Sequence, residues 1–203
     1  MSSFEAEWAQ LKRDAVGRAA ITGPMRAPSR ARAFLLCVAL MALTGCGTGG
    51  FTGSSETPFA GISTTSDAAD AMERVSSELY DLIGLQGRAS STQPGVMECE
   101  GRDRDTYFTI FHPWDLIPAS TSTAELEGVV KRLRDELPQH GWKVVEYGRD
   151  SSKNNNLSLT ADNDTKKVSV KLGAYVKNSP PSLGFMVVSG CYRIPDGKKI
   201  ERF

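Results

Sequence analysis

The cysteines are the residues of this sequence best suited to covalent chemistry, and Cys46 has the most specific surroundings. It follows Leu43, Thr44 and Gly45 and stands directly before another glycine. A cysteine thiol is a nucleophile and can form a thioether bond to a lipid. The small side chains just before it would let the backbone enter a tight peptidase site. These residue types therefore predict lipid attachment and chain cleavage at Cys46.

The segment before Cys46 has the organisation of a signal peptide. Arg26, Arg30 and Arg32 precede an uninterrupted apolar run over residues 33–43. The run is too short to cross a bilayer, which needs about 20 residues. With the Leu-Thr-Gly-Cys sequence it resembles the lipobox of bacterial lipoproteins, in which the cysteine receives a diacylglyceryl group before a peptidase cuts in front of it. Because two acyl chains anchor a protein stably, the resemblance implies a location on the extracytoplasmic face of the cell membrane.

Other interpretations of the N-terminal segment remain open. It could be an ordinary signal peptide that contains a cysteine, or a buried core helix. Among the 24 residues before Met25, Phe4, Trp8, Leu11 and Val16 could line one face of a short amphipathic helix, or translation could begin at Met25. Cleavage before Cys46 would remove them in either case. We predict an N-terminal extension and signal peptide over 1–45, a flexible Gly/Ser/Thr tether over 46–65 and a folded domain over 66–203.

Two cysteines, Cys99 and Cys191, fall within the predicted domain. Export to an oxidising compartment favours a disulfide between an even pair of cysteines. Two buried free thiols are an alternative, and a redox pair is disfavoured because neither residue belongs to a Cys-x-x-Cys motif. We therefore predict a structural disulfide that closes a loop of about 90 residues.

Residue spacing within the predicted domain indicates an α+β fold. Apolar residues at helical spacing predict one helix over 67–83, and a Ser122–Glu125 capping box predicts the start of another that ends at Pro138. The strands should form a mainly antiparallel sheet of about four to five strands, with both helices packed on it as a two-layer sandwich. The predicted strands are 106–111, 142–147, 157–161, 167–174 and 183–191.

The apolar segment after the first of these strands is the strongest sequence candidate for a binding surface. Pro113 and Pro118 are expected to end the strand, which leaves Trp114, Leu116 and Ile117 near the second helix. Such residues either cover the core or form the rim of a binding groove at the helix–sheet edge. The sequence leaves both interpretations open.

The remaining reactive side chains form no recognisable catalytic or metal-binding set. His112 is expected in a loop and His140 at the exit of the second helix, and neither has a partner at metal-ligand spacing. Carboxylates near Cys99 alternate with arginines, which is typical of a solvated loop. The sequence has no nucleophile elbow, phosphate loop or calcium loop. We therefore expect no metal, no cofactor and no enzymatic activity.

The order of features along the chain resembles actinobacterial LppA-like lipoproteins. The resemblance covers most of 66–197 and rests on the cysteine pair and on Ser-Gly-Cys-Tyr-Arg-Ile-Pro-Asp-Gly at 189–197. It implies an anchored extracytoplasmic domain and provides no catalytic residue. We predict a membrane-anchored, non-catalytic module that binds an envelope protein, wall polymer or small ligand. The alternative is a carrier of an apolar or lipid ligand, and the balance of 24 basic and 24 acidic residues argues against nucleic acid.

Overall fold

The computed structural model describes residues 57–120 and 122–203, and this part of the chain has an α+β fold. It contains two α-helices, one 3₁₀-helix and a mixed sheet of nine strands that curls into a half-barrel. In chain order the elements are β1 (Phe59–Ile62), α1 (Thr65–Ile83), β2 (Gly87–Ala89), β3 (Gly95–Glu98), β4 (Tyr107–Pro118), α2 (Thr123–Glu136), the 3₁₀-helix (Leu137–His140), β5 (Lys143–Arg149), β6 (Leu157–Asn163), β7 (Val168–Tyr175), β8 (Ser182–Ser189) and β9 (Cys191–Arg193).

The sheet is antiparallel except where β1 runs beside β9 in parallel. Its strands follow the order β1-β9-β4-β8-β7-β6-β5. The short strands β2 and β3 pair with the opposite edge of β4. The predicted fold class and mainly antiparallel pairing are confirmed, but the predicted number of strands is too low. Four of the nine strands have only three or four residues, which is too short for a clear alternating pattern in the sequence.

Both helices begin and end at residues that have recognisable capping chemistry. Helix α1 starts two residues earlier than predicted because the side chain of Thr64 caps it and accepts a hydrogen bond from the backbone N–H of Asp67 (3.1 Å). Its last turn is closed by Gly84, whose φ of 63° is left-handed. In α2 the predicted capping box between Ser122 and Glu125 is confirmed in both directions.

Strand β4 is longer than predicted, because the prolines do not end it. It runs without interruption over Tyr107–Pro118. Pro113 pairs with Met186 of β8 on one edge of β4, and it is tolerated because its backbone nitrogen faces the other edge, at the gap between β2 and β3. There its carbonyl oxygen accepts a hydrogen bond from the hydroxyl of Thr92. The missing N–H of Pro113 therefore breaks no bond of the sheet.

Part of the predicted tether belongs to the sheet. Residues Phe59–Ile62 form β1, and the backbone N–H of Cys191 donates to the carbonyl of Pro58 (2.8 Å). Gly190 permits this approach, because a Cβ atom there would collide with the Pro58 carbonyl oxygen. The folded part therefore begins before residue 66. The predicted signal peptide, Cys46 and the first part of the tether lie outside the described residues.

The predicted disulfide between Cys99 and Cys191 is present, with its Cα atoms 5.9 Å apart. Cys99 follows β3 on one side of β4, and Cys191 begins β9 on the other side. The bond crosses the face of β4 above Thr109, whose hydroxyl oxygen lies 3.1 Å from the sulfur of Cys99 and 3.8 Å from that of Cys191. The disulfide therefore links the segment after β3 to the start of β9, and both of these strands pair with β4.

The opposite face of the sheet carries the hydrophobic core and both helices. Helix α1 packs on β4 and β8, and α2 packs on β6 and β7. The buried members of this core all lie between Ala68 and Ile194. Its largest fully buried side chains include Phe108, Phe185 and Leu126. A chain that starts after Cys46 would therefore retain the whole core.

Candidate functional site

A surface groove lies between α1 and the segment that joins β2 to β3, with β4 as its floor. Its volume is about 260 Å³. We refer to it as the α1 groove. It has two aromatic side chains in its lining, several hydroxyl groups and one carboxylate. Such a mixture of aromatic surface and a few positioned polar groups is typical of ligand-binding sites.

The helix side of the α1 groove is a single stripe of residues. Glu73, Ser76, Ser77 and Tyr80 recur at spacings of three and four, so they lie on one face of the helix. This stripe adjoins the buried stripe that faces the core. The apolar spacing used to predict the helix gave no signal for it, because three of its four residues are polar.

His112 joins the helix to the loop across the groove. Its Nδ1 lies 2.9 Å from the hydroxyl of Ser76, and its Nε2 lies 2.9 Å from the carbonyl oxygen of Thr92. A carbonyl can only accept, so Nε2 carries the hydrogen, and in the neutral imidazole Nδ1 accepts from the hydroxyl of Ser76. The expectation of a loop histidine was wrong. His112 stands within β4, is only 8% exposed and clamps the β2–β3 segment to α1.

The contact between Ser76 and His112 has the composition of a nucleophile–base pair, but its surroundings favour a structural role. Ser76 lies within α1, where backbone N–H groups bond to carbonyls four residues earlier. Those groups cannot stabilise an oxyanion. The third partner of the chain is the carbonyl of Thr92 rather than a carboxylate. This arrangement is better suited to hold the groove in shape than to attack a substrate.

Trp114 is the predicted rim residue that does reach the groove. Its ring stacks on Phe185 with centroids 4.0 Å apart and planes 4° from parallel, and it contacts Tyr80 at 6.3 Å. The side chain is 5% exposed, and within residues 57–120 and 122–203 its Nε1 has no hydrogen-bond partner. Leu116 is buried in the core, and Ile117 lies on the opposite face of β4, so neither lines the groove.

The rim of the groove on the helix side is negatively charged. Helix α1 contains five exposed carboxylates and a single basic residue, Arg74. Among the described residues, only Glu78 of these five has an ion pair, which it forms with Lys166. The facing segment over 89–94 carries no charged side chain. Glu73 is the one carboxylate in the lining of the α1 groove. The other carboxylates of α1 make the electrostatic potential around it more negative.

A second electrostatic feature lies on the other face of the sheet. The carboxylate of Asp115 sits close above Gly184 beside the ring of Tyr175. Partial desolvation by these neighbours raises the pKa of Asp115 from its ordinary value of 3.8, although part of the residue stays exposed. This face does not contribute to the α1 groove.

Neither a metal cluster nor a membrane-spanning helix is found in the described part of the chain. No group of three or more potential metal ligands comes together there. No helix within those residues is long and apolar enough to cross a bilayer.

Comparison with known proteins returns no family model, curated protein or solved structure that matches this chain. The resemblance to LppA-like lipoproteins therefore stays a prediction.

Proposed function

We propose that this protein is a non-catalytic binding module, held by a lipidated Cys46 on the extracytoplasmic face of the cell membrane, that binds its partner in the α1 groove. The observation that carries the proposal is the lining of the α1 groove, in which the rings of Tyr80 and Trp114 stand beside hydroxyl groups and the carboxylate of Glu73. A concave surface that combines aromatic side chains with a few positioned polar groups is suited to binding.

Two features support the anchored, exported location. The sequence before Cys46 has the charge, length and small residues of a lipoprotein signal. The disulfide between Cys99 and Cys191 is of a kind that persists in oxidising compartments outside the cytoplasm. The chain between Cys46 and β1 spans at most about 45 Å when extended, which would keep the groove near the membrane surface.

The size of the groove favours a binding module over a carrier of a lipid. Sites for drug-sized ligands usually measure about 300–1,000 Å³, and the α1 groove is smaller than that range. The layer between the helices and the sheet is occupied by core side chains such as Phe108, Leu126 and Phe185. A groove of this size suits one side chain or a short segment of a partner.

A photocrosslinking residue placed at Ser77 of the full-length protein in intact cells tests this function. Ser77 is an exposed residue of the groove lining. The matched control is Ser151, an exposed residue in the loop between β5 and β6. We expect a discrete crosslinked species in the membrane fraction from position 77 and none from position 151. The same species from both positions, or none from either, would contradict the proposal.

A further inference from the structure

We infer that the outward face of β1 rests on the lipid surface to which Cys46 is anchored, with the side chains of Phe59 and Ile62 in contact with lipid. The inference rests on the lipid anchor of the proposed function and adds a direct contact between the folded part of the chain and the membrane. It follows from the exposure of these two side chains, from the face that they share and from the position of β1 at the end of the tether.

Strand β1 exposes two large apolar side chains although it has only four residues. Phe59 is 49% exposed and Ile62 is 62% exposed. Within residues 57–120 and 122–203, the other exposed apolar side chains of this size are Val145 on β5 and Phe203 at the end of the chain. A single exposed apolar residue needs no explanation, whereas neighbouring ones on one face mark an interaction surface.

A β-bulge brings the two side chains to the same face. Residues three positions apart in a regular strand point to opposite faces. In β1 the pairing register shifts by one residue between Phe59 and Gly61. Phe59 pairs with Cys191 of β9. Ile62 pairs with the residue two positions later, Arg193, so both side chains lie on the face that carries the disulfide, away from the helices.

The side chains beside this surface suit the boundary between lipid and water. Arg193 pairs with Tyr107 of β4, and the guanidinium of Arg102 lies 5.2 Å from the centre of the Tyr107 ring. Tyrosine and arginine combine an apolar body with a polar tip, which suits membrane interfaces. Arg193 forms an ion pair with Asp196, and the loop between β3 and β4 carries charges of both signs. Apolar contact, rather than attraction to anionic lipid, therefore drives the docking.

The position of β1 in the chain selects the membrane as the occupant of this surface. Residues 47–58 join Cys46 to Phe59 and span at most about 45 Å. A tether this short keeps β1 at a high effective concentration at the lipid surface, so a contact that is weak in free solution persists. Val145 gains no such advantage, because β5 lies at the opposite end of the strand order.

The geometry of β1 permits this contact without placing unpaired backbone groups in lipid. β1 is an edge strand, and among the described residues only β9 pairs with it. The unpaired N–H and C=O groups of an edge strand lie in the plane of the sheet, whereas side chains stand perpendicular to that plane. The tips of Phe59 and Ile62 therefore enter the lipid while the backbone stays among hydrated headgroups.

Docking through β1 turns the α1 groove away from the bilayer. Helix α1 packs on the face of the sheet opposite the disulfide. The segment that joins β2 to β3 lies beyond the edge of β4 that is opposite to β9. A partner in the envelope then reaches the groove without passing between the protein and the membrane.

The experiment measures quenching of tryptophan fluorescence by vesicles of phosphatidylcholine that carries bromine on its acyl chains. The protein is the chain that begins at Cys46, which retains the whole core. Its Cys46 thiol is coupled to a maleimide lipid in the vesicle, and the other two cysteines are protected by their disulfide. The anchor is therefore present whether or not cells lipidate Cys46. Ile62→Trp is the reporter, and Val145→Trp is its matched control at the other edge of the sheet.

We expect Ile62→Trp to be quenched and Val145→Trp to keep the emission that it has on vesicles without bromine. The two native tryptophans of this chain are each 5% exposed, and the wild type provides their background. Phe59→Asp combined with Ile62→Trp should abolish the quenching, because a carboxylate resists transfer into lipid. Val145→Asp combined with the same reporter should leave the quenching unchanged. Slow hydrogen exchange of the Cys191 amide shows that β1 is still paired in each variant, and Phe59→Ser replaces Phe59→Asp if that exchange becomes fast.

Equal quenching of Ile62→Trp and Val145→Trp would overturn the inference, as would an unquenched Ile62→Trp or quenching that survives the change at Phe59. A mass of the unanchored chain that rises with concentration and falls in Phe59→Asp would assign the surface to a second copy, which would also overturn it. Because the vesicle anchor is chemical, these results would reject only the membrane contact. The proposed function would then still be decided by the Ser77 crosslink.

Discussion

Ser76 of α1 and His112 of β4 share a 2.9 Å hydrogen bond at the edge of the α1 groove. The other nitrogen of His112 bonds to the carbonyl of Thr92, so one imidazole connects a helix, a strand and a loop. Both side chains are buried, and each loses its partner if the other is removed. The pair therefore fixes the width of the groove.

Replacing His112 should destabilise the fold and loosen the groove. We expect His112→Leu to lower the free energy of unfolding by about 1–3 kcal/mol, because Ser76 and the Thr92 carbonyl would lose a buried partner. This corresponds to a fall in Tm of about 2–12 °C for a chain of this size. The matched control is His140→Leu at an exposed position. Equal stability of the two variants in thermal and denaturant unfolding would show that the clamp contributes nothing.

Removing the disulfide should cost a large part of the stability. In Cys99→Ala/Cys191→Ala we expect a loss of about 4.6 kcal/mol, the chain-entropy value for a loop of about 90 residues. Folded domains are usually stable by only about 5–15 kcal/mol. Reducing agent should lower the Tm of the wild type and leave that of the double variant unchanged. A wild type whose Tm does not respond to reducing agent, or one with alkylatable thiols at these positions, would contradict this prediction.

Docking of β1 should depend on the absence of a side chain at Gly190. The Cβ atom of Gly190→Ala would collide with the Pro58 carbonyl, and overpacking of this kind costs about 1–3 kcal/mol. Hydrogen exchange of the Cys191 amide, which bonds to that carbonyl, should become faster. Gly128→Ala in α2 is the control, since its Cβ meets nothing within 4 Å and should stabilise the helix. Slow exchange at Cys191 in Gly190→Ala would show that β1 tolerates the methyl group.

The raised pKa of Asp115 predicts a specific dependence of stability on pH. The folded state holds this proton more tightly than the unfolded state, so stability falls as pH rises from about 3.8 through the higher folded pKa. Asp115→Asn should remove that fall and be at least as stable as the wild type at neutral pH. Asp164→Asn, in the exposed β6–β7 turn, should keep the wild-type profile. If the stability of Asp115→Asn depends on pH as that of the wild type does, Asp115 is not the group responsible for the fall.

Lipidation of Cys46 is a prediction from sequence that needs its own test. Metabolic labelling with a fatty-acid probe should mark the wild type and leave Cys46→Ala unlabelled, because only the thiol can receive the diacylglyceryl group. Cys37→Ala is the control within the same signal segment and should be labelled normally. Labelling of Cys46→Ala equal to that of the wild type would reject the anchor.

The parts of the fold with a repeating local pattern could be predicted from sequence, and the parts created by tertiary contacts could not. Apolar spacing and caps located both helices, alternation located β7, and the other predicted strands overlap β5, β6 and β8. Pro113 misled the prediction of β4 because its tolerance depends on a gap between two strands that are themselves too short to recognise. The cysteine count predicted the disulfide but gave no indication that it crosses over β4.

The candidate site depends on tertiary contacts even more than the fold does, so less of it could be predicted from sequence. Trp114 was named from its apolar neighbourhood, but Leu116 and Ile117 were grouped with it only because they are adjacent in sequence. Alternation along a strand sends these neighbours to different faces. Ser76 and His112 are separated by 36 positions, and no local pattern links them. Only the packing of α1 on β4 brings the groove together.

The most direct test of the account is the yield of the Ser77 crosslink in intact cells when the groove is filled. Ala89 is an exposed lining residue of β2, and its neighbour Arg88 points to the opposite face of the same strand. Ala89→Trp should abolish the crosslink by occupying the groove, whereas Arg88→Trp adds the same side chain elsewhere and should preserve it. An undiminished crosslink in a folded, membrane-associated Ala89→Trp protein would contradict the claim that the α1 groove is the binding site.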